Sequence, residues 1–182
     1  MTAGPVLGPV WQHRGMPDLT LREMTAHEFD QWHDAEVRGY ADAQVSAGVW
    51  GSDEALRRSA ELHEKLLPAG LETPGMIFLQ GLRPDGAVIG TLWIALEHPR
   101  GAADCAFLFD IEVVEEHRSA GYGRALLAAA ENVVRERGFS ALELNVHGDN
   151  THAMRLYASS GYRVITQQMR KGLGSGGGDH QR

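Results

Sequence analysis

From Leu19 the chain alternates, with Leu19 and Leu21 set against Thr20 and Arg22, and this period of two predicts a strand running to Met24. Thr25 follows, with Glu28 three residues on, the spacing of a capping box. Apolar positions then recur at helical spacing (Phe29, Trp32, Val37, Tyr40, Val45), predicting a helix from Ala26 to about Ala47 with Gly48 as its stop. A second helix opens at Ser52 or Asp53, turns Leu56, Ala60, Leu62 and Leu66 inward, and ends at Pro68. Met76 to Leu82 and Val88 to Leu96 are strands joined by the turn Arg83-Pro84-Asp85-Gly86. A longer strand spans Ala106 to Val114, a helix Tyr122 to Arg137, a strand Ala141 to Val146, a helix Thr151 to Ser160, and a last strand Tyr162 to Met169. The order is β-α-α-β-β-β-α-β-α-β, an α/β fold with a mixed central sheet.

A chain of 182 residues suits one domain. The Gly- and Pro-rich segment 1–17 reads as a flexible arm, 18–171 as the folded domain, and 172–182 as a flexible Gly-rich tail. The formal net charge of -7 argues against nucleic acid or an anionic membrane as the main partner, and suits a cationic substrate. Cys105 is the single cysteine, so no internal disulfide forms and a reducing compartment is expected; within Cys-Ala-Phe-Leu-Phe it reads as a small core residue. No apolar run approaches a membrane span, and no cationic start precedes an apolar leader, so a cytoplasmic location is expected.

Candidate chemistry concentrates at Arg118-Ser119-Ala120-Gly121-Tyr122-Gly123-Arg124, between a strand and a helix. Glycines allow backbone to approach a ligand closely, and the first turn of the helix offers N–H groups and a positive dipole end. Taken alone, the loop reads equally well as a plain strand-to-helix turn. The Walker pattern fails for want of a Gly-Lys-Ser/Thr, and the dinucleotide fingerprint fails because Leu126 stands in place of its third glycine.

The loop does fit R/Q-x-x-G-x-G/A and resembles motif A of the GNAT (GCN5-related) N-acetyltransferase superfamily. The preceding Phe109-Asp110-Ile111-Glu112-Val113 is similar to the family's fourth strand. The block Asn150-x-x-Ala153-x-x-Leu156-Tyr157-x-x-x-Gly161-Tyr162 resembles its motif B, and Gln168 to Lys171 fits the closing strand. Residues 106–171 match closely, and 19–96 match in element order only. Glu115, where many members have Pro, and Ser119, where Gly or a basic residue is common, depart from the pattern.

The resemblance implies a GNAT fold whose fourth and fifth strands splay apart, with acetyl-CoA as acyl donor. It places the pyrophosphate on Arg118, Ser119, Ala120, Gly121, Tyr122, Gly123 and Arg124, and the pantetheine arm along Ile111 and Val113. Asn150 and Ala153 complete the implied CoA contacts, and Tyr157 falls on the usual general acid. A core tyrosine on the stripe Ala153, Leu156, Tyr157 and Ser160 is the competing reading of that position. Many members dimerise, which leaves a homodimer open.

The residues also speak for themselves. Strict alternation puts Phe107, Phe109, Ile111 and Val113 on one face, and Leu108, Asp110, Glu112 and Val114 on the other. Asp110 and Glu112 thus share a face, where each raises the other's pKa, as suits a base working near neutrality. Glu112 is the choice for proton acceptor, with Asp110, His147 or a water relay as alternatives. A bulge in this strand would break the alternation. The nine histidines show no paired ligand spacing, and no metal is expected at His117 or elsewhere. The family's acceptor wall would fall between Ala26 and Gly75, with Trp32, Tyr40, Trp50 and the loop Leu67 to Pro74 as candidates; Glu36, Asp42 and Glu72 read by default as solvated charges. These features imply an N-acetyltransferase acting on an amine of a small molecule or peptide. The alternatives are a non-catalytic acyl-CoA-binding regulatory module and an interaction domain with a vacant cleft.

Overall fold

The computed structural model describes residues 6–11 and 15–171. The tail expected at 172–182 lies outside the described residues. The chain divides into two compact units, Met1–His147 and Gly148–Arg182.

The first unit is a six-stranded sheet whose spatial order follows chain order. Its strands are β1 (Val6–Trp11), β2 (Leu19–Glu23), β3 (Met76–Leu82), β4 (Val88–Ala95), β5 (Cys105–Val113) and β6 (Ala141–Leu144). The first five run antiparallel to their neighbours, and β6 joins β5 in parallel. The helices of this unit are α1 (Ala26–Ser46), α2 (Ala55–Leu66) and α3 (Tyr122–Glu136). Because β1 precedes the expected first strand, the fourth and fifth strands of the sequence reading are β5 and β6.

β1 corrects part of the flexible arm expected over 1–17. Val6 and Leu7 pair with Arg22 and Leu21, and the register then shifts before Trp11 meets Leu19. Gly8 and Pro9 fall within that shift, which is how an edge strand accommodates a residue lacking an N–H. The Gly and Pro content concealed the strand.

α1 forms where the capping box announces it. The Thr25 side chain accepts from the Glu28 N–H, and the Glu28 carboxylate accepts from the Thr25 N–H. The same carboxylate takes a bidentate pair from Arg22 on β2, at 2.7 and 2.9 Å, and Arg22 also donates to Gln80 on β3. Arg22 is 8% exposed, so its charge depends on these partners. The Arg22 guanidinium is the main cause that holds Glu28 down at about 2, with further help from Thr25 and against the effect of burial. This contribution is therefore complete above the ordinary carboxylate range, and disappears as pH falls through about 2. Glu28→Ala strands a buried guanidinium and removes the cap, so the expected loss is about 3 kcal/mol in urea denaturation at neutral pH. An unchanged midpoint would disprove the network's role.

α2 begins at Ala55, after Glu54 as N-cap, not at Ser52 or Asp53, and of the four residues expected inward only Leu66 packs against the core. Ala55, Ser59 and His63 face inward, while Leu56 and Leu62 are 54% and 38% exposed and Ala60 is exposed. The reason is close helix packing. Small residues at the contact let α2 approach α1, where the Ser59 hydroxyl donates to the Val37 carbonyl at 2.7 Å. Between these helices and the sheet lies an aromatic core of Met24, Phe29, Trp32, Leu67, Phe78 and Trp93. α3 covers β2, β4, β5 and β6 through an apolar stripe that includes Leu126, Leu127, Ala130, Val133 and Val134. Cys105 is buried and unbridged, as a core residue should be.

The second unit holds α4 (Thr151–Ser159) and, after it, a segment without regular secondary structure. The strand expected at Tyr162–Met169 does not form, and Val164 and Met169 are 76% and 85% exposed. Its β-branched residues favour extension, but polar residues interrupt both alternate faces, so neither offers a continuous apolar surface to bury.

Candidate active site

β5 is flanked on both sides over only half its length. β4 runs beside it from Ala95 opposite Phe107 to Gly90 opposite Val113, whereas β6 covers only Cys105 to Leu108. From Phe109 to Val113 the edge away from β4 has no strand beside it among the described residues. Backbone groups on that edge are available to an extended ligand. This is the expected splay, and Ile111 and Val113 lie within it. Gly90 allows β4 to close in on this stretch, because a Cβ there would lie 2.1 Å from the Glu112 carbonyl oxygen.

A bulge changes the strand's faces. Trp93 opposes Asp110 but Ile94 opposes Leu108, leaving Phe109 as the extra residue. Residues directly opposite share a face. Asp110 therefore lies on the Trp93 side and Glu112 on the Thr91 side of one common face, the one that carries the aromatic core. Phe109 joins them, stacked on Trp93 with ring centroids 4.4 Å apart. Leu108, Ile111 and Val113 take the other face, opposite Ile94, Leu92 and Gly90. The shared face of Asp110 and Glu112 was legible from alternation; the placement of Phe109 with them was not.

The two carboxylates differ in surroundings. Asp110 Oδ2 is buried without a hydrogen-bond partner. Burial first, then repulsion from Glu36 and Glu112, pushes Asp110 up to about 8, while the Trp32 indole and the Ile111 backbone N–H favour its charged form. Glu36 on α1 is also raised, by burial and then by Glu112. Glu112 has a side chain 62% exposed and lies 3.3 Å from the Arg118 guanidinium. Glu36, read from sequence as a solvated charge, thus belongs electrostatically with this pair. Its sequence signal was the i, i+4 spacing from Trp32, which anchors that face of α1.

After β5, a single 3₁₀ turn at Glu115–His117 leads into the loop. Ser119 and Gly121 have φ of 63° and 86°, and α3 begins at Tyr122 with no side-chain cap. An uncapped helix start presents N–H groups and a positive dipole end to an anion. Arg118 turns back instead, its Nε donating to the Val113 carbonyl at 3.0 Å. Ser119, Ala120 and Gly121 are exposed.

In the second unit, Asn150 caps α4, its Oδ1 accepting from the Ala153 N–H at 3.0 Å. Tyr157 lies on α4, half-buried, its ring 5.8 Å from that of Tyr162. His147, the alternative base, is exposed.

Trp32 is a core residue, as aromatics at helical spacing commonly are. Tyr40 and Trp50 meet edge to face at 5.6 Å, and Arg58 lies over the Trp50 ring. Sequence reasoning passed over His33 and His63, whose rings are 5.3 Å apart beside Trp93. Burial, then the nearby His33, lowers His63 to about 4, so it is neutral at physiological pH. Its spacing of four from Ser59 on the buried stripe of α2 was the signal available.

His98, Cys105 and Glu143 bring donor atoms within 4.8 Å of one another at the far end of β5. His98 Nδ1 accepts from the Arg100 N–H, so the neutral ring carries its proton on Nε2, which faces Glu143 at 3.4 Å. Arg100 already pairs with Glu143. The cluster thus holds one ion pair, Arg100 with Glu143, beside a neutral imidazole whose tautomer keeps a proton on Nε2.

A sheet whose strands part beside an uncapped helix start offers an open strand edge next to N–H groups at a positive dipole end. The sequence pattern of the Acetyltransferase (GNAT) family matches residues 29–162, and the chain belongs to that family. It is 32% identical over 155 residues to the uncharacterised N-acetyltransferase YycN of Bacillus subtilis strain 168, covering 85% of this chain and 99% of that one. The crystal structure of YycN superposes with a TM-score of 0.79 over 85% of this chain and 98% of that one. N-acetyltransferase YdgE of the same organism is 29% identical, over 85% of this chain and 98% of its own. The PaiA N-acetyltransferase of Thermoplasma acidophilum, solved with coenzyme A, shares the fold with a TM-score of 0.59 at 19% identity, over 82% and 92% of the two chains. Among the described residues, no helix is long and apolar enough to cross a membrane.

Proposed function

We propose that this acyltransferase uses acetyl-CoA to acetylate an amine of a small molecule or peptide by direct attack. The observation that carries this reading is the open edge of β5 at Phe109–Val113, with the buried Asp110 Oδ2 on the same segment and its carboxyl pushed up to about 8 chiefly by burial. The N-acetyltransferase relatives support an amine acceptor. When bound, acetyl-CoA supplies the thioester carbon that the amine attacks.

The backbone of Ile111 and Val113 holds the pantetheine arm as an added strand. The loop from Arg118 to Arg124 receives the pyrophosphate, and the motif resemblance adds Asn150 and Ala153. Asp110, with Glu112 beside it, accepts a proton from the arriving ammonium. The new C–N bond forms as the C–S bond breaks. The motif resemblance gives Tyr157 the role of acid, its phenol proton going to the departing sulfur and one returning from the nitrogen; the other proton leaves through Asp110 to solvent. A base of pKa near 8 is the better match to this task, because proton transfer is most effective when the pKa lies near the working pH. Exposed Glu112, paired with Arg118, adjusts Asp110 rather than replacing it.

Thiol release from acetyl-CoA tests the assignment. Tyr157→Phe is expected to lower kcat by about 100-fold, with acetyl-CoA binding retained by calorimetry. Glu112→Gln is expected to shift the rising limb of the pH–rate profile to lower pH, since it removes one repulsion on Asp110. Undiminished turnover in Tyr157→Phe removes its role as acid. Tight CoA binding with no turnover across amines would favour a regulatory module.

A further inference from the structure

The polarity of the β5 backbone decides which of its groups an added strand can reach. Val114 donates its N–H to the Ile89 carbonyl of β4 at 2.9 Å. The Val113 carbonyl belongs to the same trans peptide and points the opposite way, out of the open edge. This direction alternates along a strand, so the Glu112 carbonyl faces β4 and the Ile111 carbonyl faces the open edge again. The close approach of Gly90 to the Glu112 carbonyl agrees with that polarity. Ile111 and Val113 therefore present the backbone groups that an extended ligand would pair with.

One of those groups is already taken. The 3₁₀ turn Glu115–His117 carries the chain back on itself, and Arg118 Nε donates to the Val113 carbonyl at 3.0 Å. The same guanidinium meets Glu112 at 3.3 Å, so it lies across the Val113 end of the edge. Its hold there is weak. Both side chains of the ion pair are more than half exposed, and such pairs contribute little. A guanidinium pairs far better with a phosphate, which it meets with two parallel N–H donors. Arg118 also heads the loop that leads to the uncapped start of α3, the end of that helix which attracts anions.

We propose that Arg118 sets donor specificity by exchanging partners: its side chain covers the Val113 carbonyl until a phosphate of the donor takes the guanidinium. A phosphorylated thioester of pantetheine, such as acetyl-CoA, frees the carbonyl as it binds. The phosphate-free thioester has no anion to offer, and must compete with the Nε–H for the same oxygen. The proposal rests on the acetyl-CoA reading above and deepens it, by naming the residue that selects a phosphorylated donor.

The test is calorimetric titration of the full chain with acetyl-CoA and with S-acetylpantetheine, which lacks every phosphate. Arg118→Met keeps the length of the side chain and removes its donors; at an exposed position it is expected to leave the fold intact. It is expected to weaken acetyl-CoA about tenfold and to tighten S-acetylpantetheine about threefold or more, two changes of opposite sign. Arg118→Lys keeps the charge and one donor group, and should hold the preference for acetyl-CoA close to its original value. A structural role for Arg118 would move both ligands in the same direction. S-acetylpantetheine binding that is unchanged, weaker or absent in Arg118→Met overturns the proposal, as does acetyl-CoA binding that is unchanged. If acetyl-CoA fails to bind the native chain, the acetyl-CoA reading falls. In that case S-acetylpantetheine binding gained in Arg118→Met still sustains the covering of the edge, and its absence defeats both.

Discussion

Asp110→Asn is expected to yield a more stable and much less active protein, and the stability gain should grow with pH. Burial and the charges of Glu36 and Glu112 raise Asp110 to about 8, against an ordinary value of 3.8. Between those values the native state holds a proton that the unfolded chain has released. Stability therefore falls as pH rises across this window, and levels off above about 8. Asparagine keeps the shape and cannot ionise. Its advantage should be near zero at pH 4 and reach on the order of 3 kcal/mol by pH 8. For a domain of this size, that is a rise in Tm of roughly 6–12 °C. Activity moves the opposite way, with kcat/KM falling by about 100-fold or more if Asp110 accepts the proton. Thermal scans from pH 4 to 9, paired with thiol-release rates, read both effects. A stability difference that is flat in pH would show that Asp110 is not held among like charges. A stability that trades against activity in this way is a common mark of a functional site.

The second large effect concerns the loop. Gly121 has φ 86° and ψ -4°, and it directly precedes the uncapped first turn of α3. A side chain in the left-handed region costs about 1–2 kcal/mol, more when β-branched, and a Cβ here would lie 3.3 Å from Pro17 Cδ. Gly121→Val is therefore expected to re-aim the first-turn N–H groups and raise the KM for acetyl-CoA by at least about tenfold. kcat should change far less, because the variant disturbs donor binding rather than proton transfer. Gly121→Asn, which tolerates this conformation, should lose little. The fold itself should persist, since α3 is anchored further along by seven buried residues. If valine and asparagine behaved alike, the backbone conformation of Gly121 would not be what positions the donor.

Most elements were readable from the chain because their causes are local. The Thr25–Glu28 capping box placed the start of α1, and alternation placed β2 through β5 within a residue or two. Gly121 and the uncapped helix start were legible because a left-handed residue before a helix needs a residue without a side chain. The misses have equally definite causes. Of the four leucine and alanine positions expected inward on α2, Leu66 does pack against the core, but close approach to α1 buries Ala55, Ser59 and His63 in place of Leu56, Ala60 and Leu62. β1 was hidden by Gly8 and Pro9, which a sheet edge accepts where it would not accept them inside. Tyr162–Met169 had the composition of a strand but no ladder in the described structure.

The candidate site divides along the same line. The sequence by itself determined that Asp110 and Glu112 share a face, since two residues separated by one keep the same side of a strand whether or not a bulge lies before them. It also determined that a glycine loop opens α3, and, by motif, the family. Only the tertiary structure decided that Phe109 turns to the same side, that the charge of Glu36 on α1 acts on this pair, and that burial raises Asp110. Side-chain alternation and helix capping are set by neighbours a few residues away. Burial and charge repulsion are set by whatever the fold brings close, and α1 lies some seventy residues from β5 along the chain.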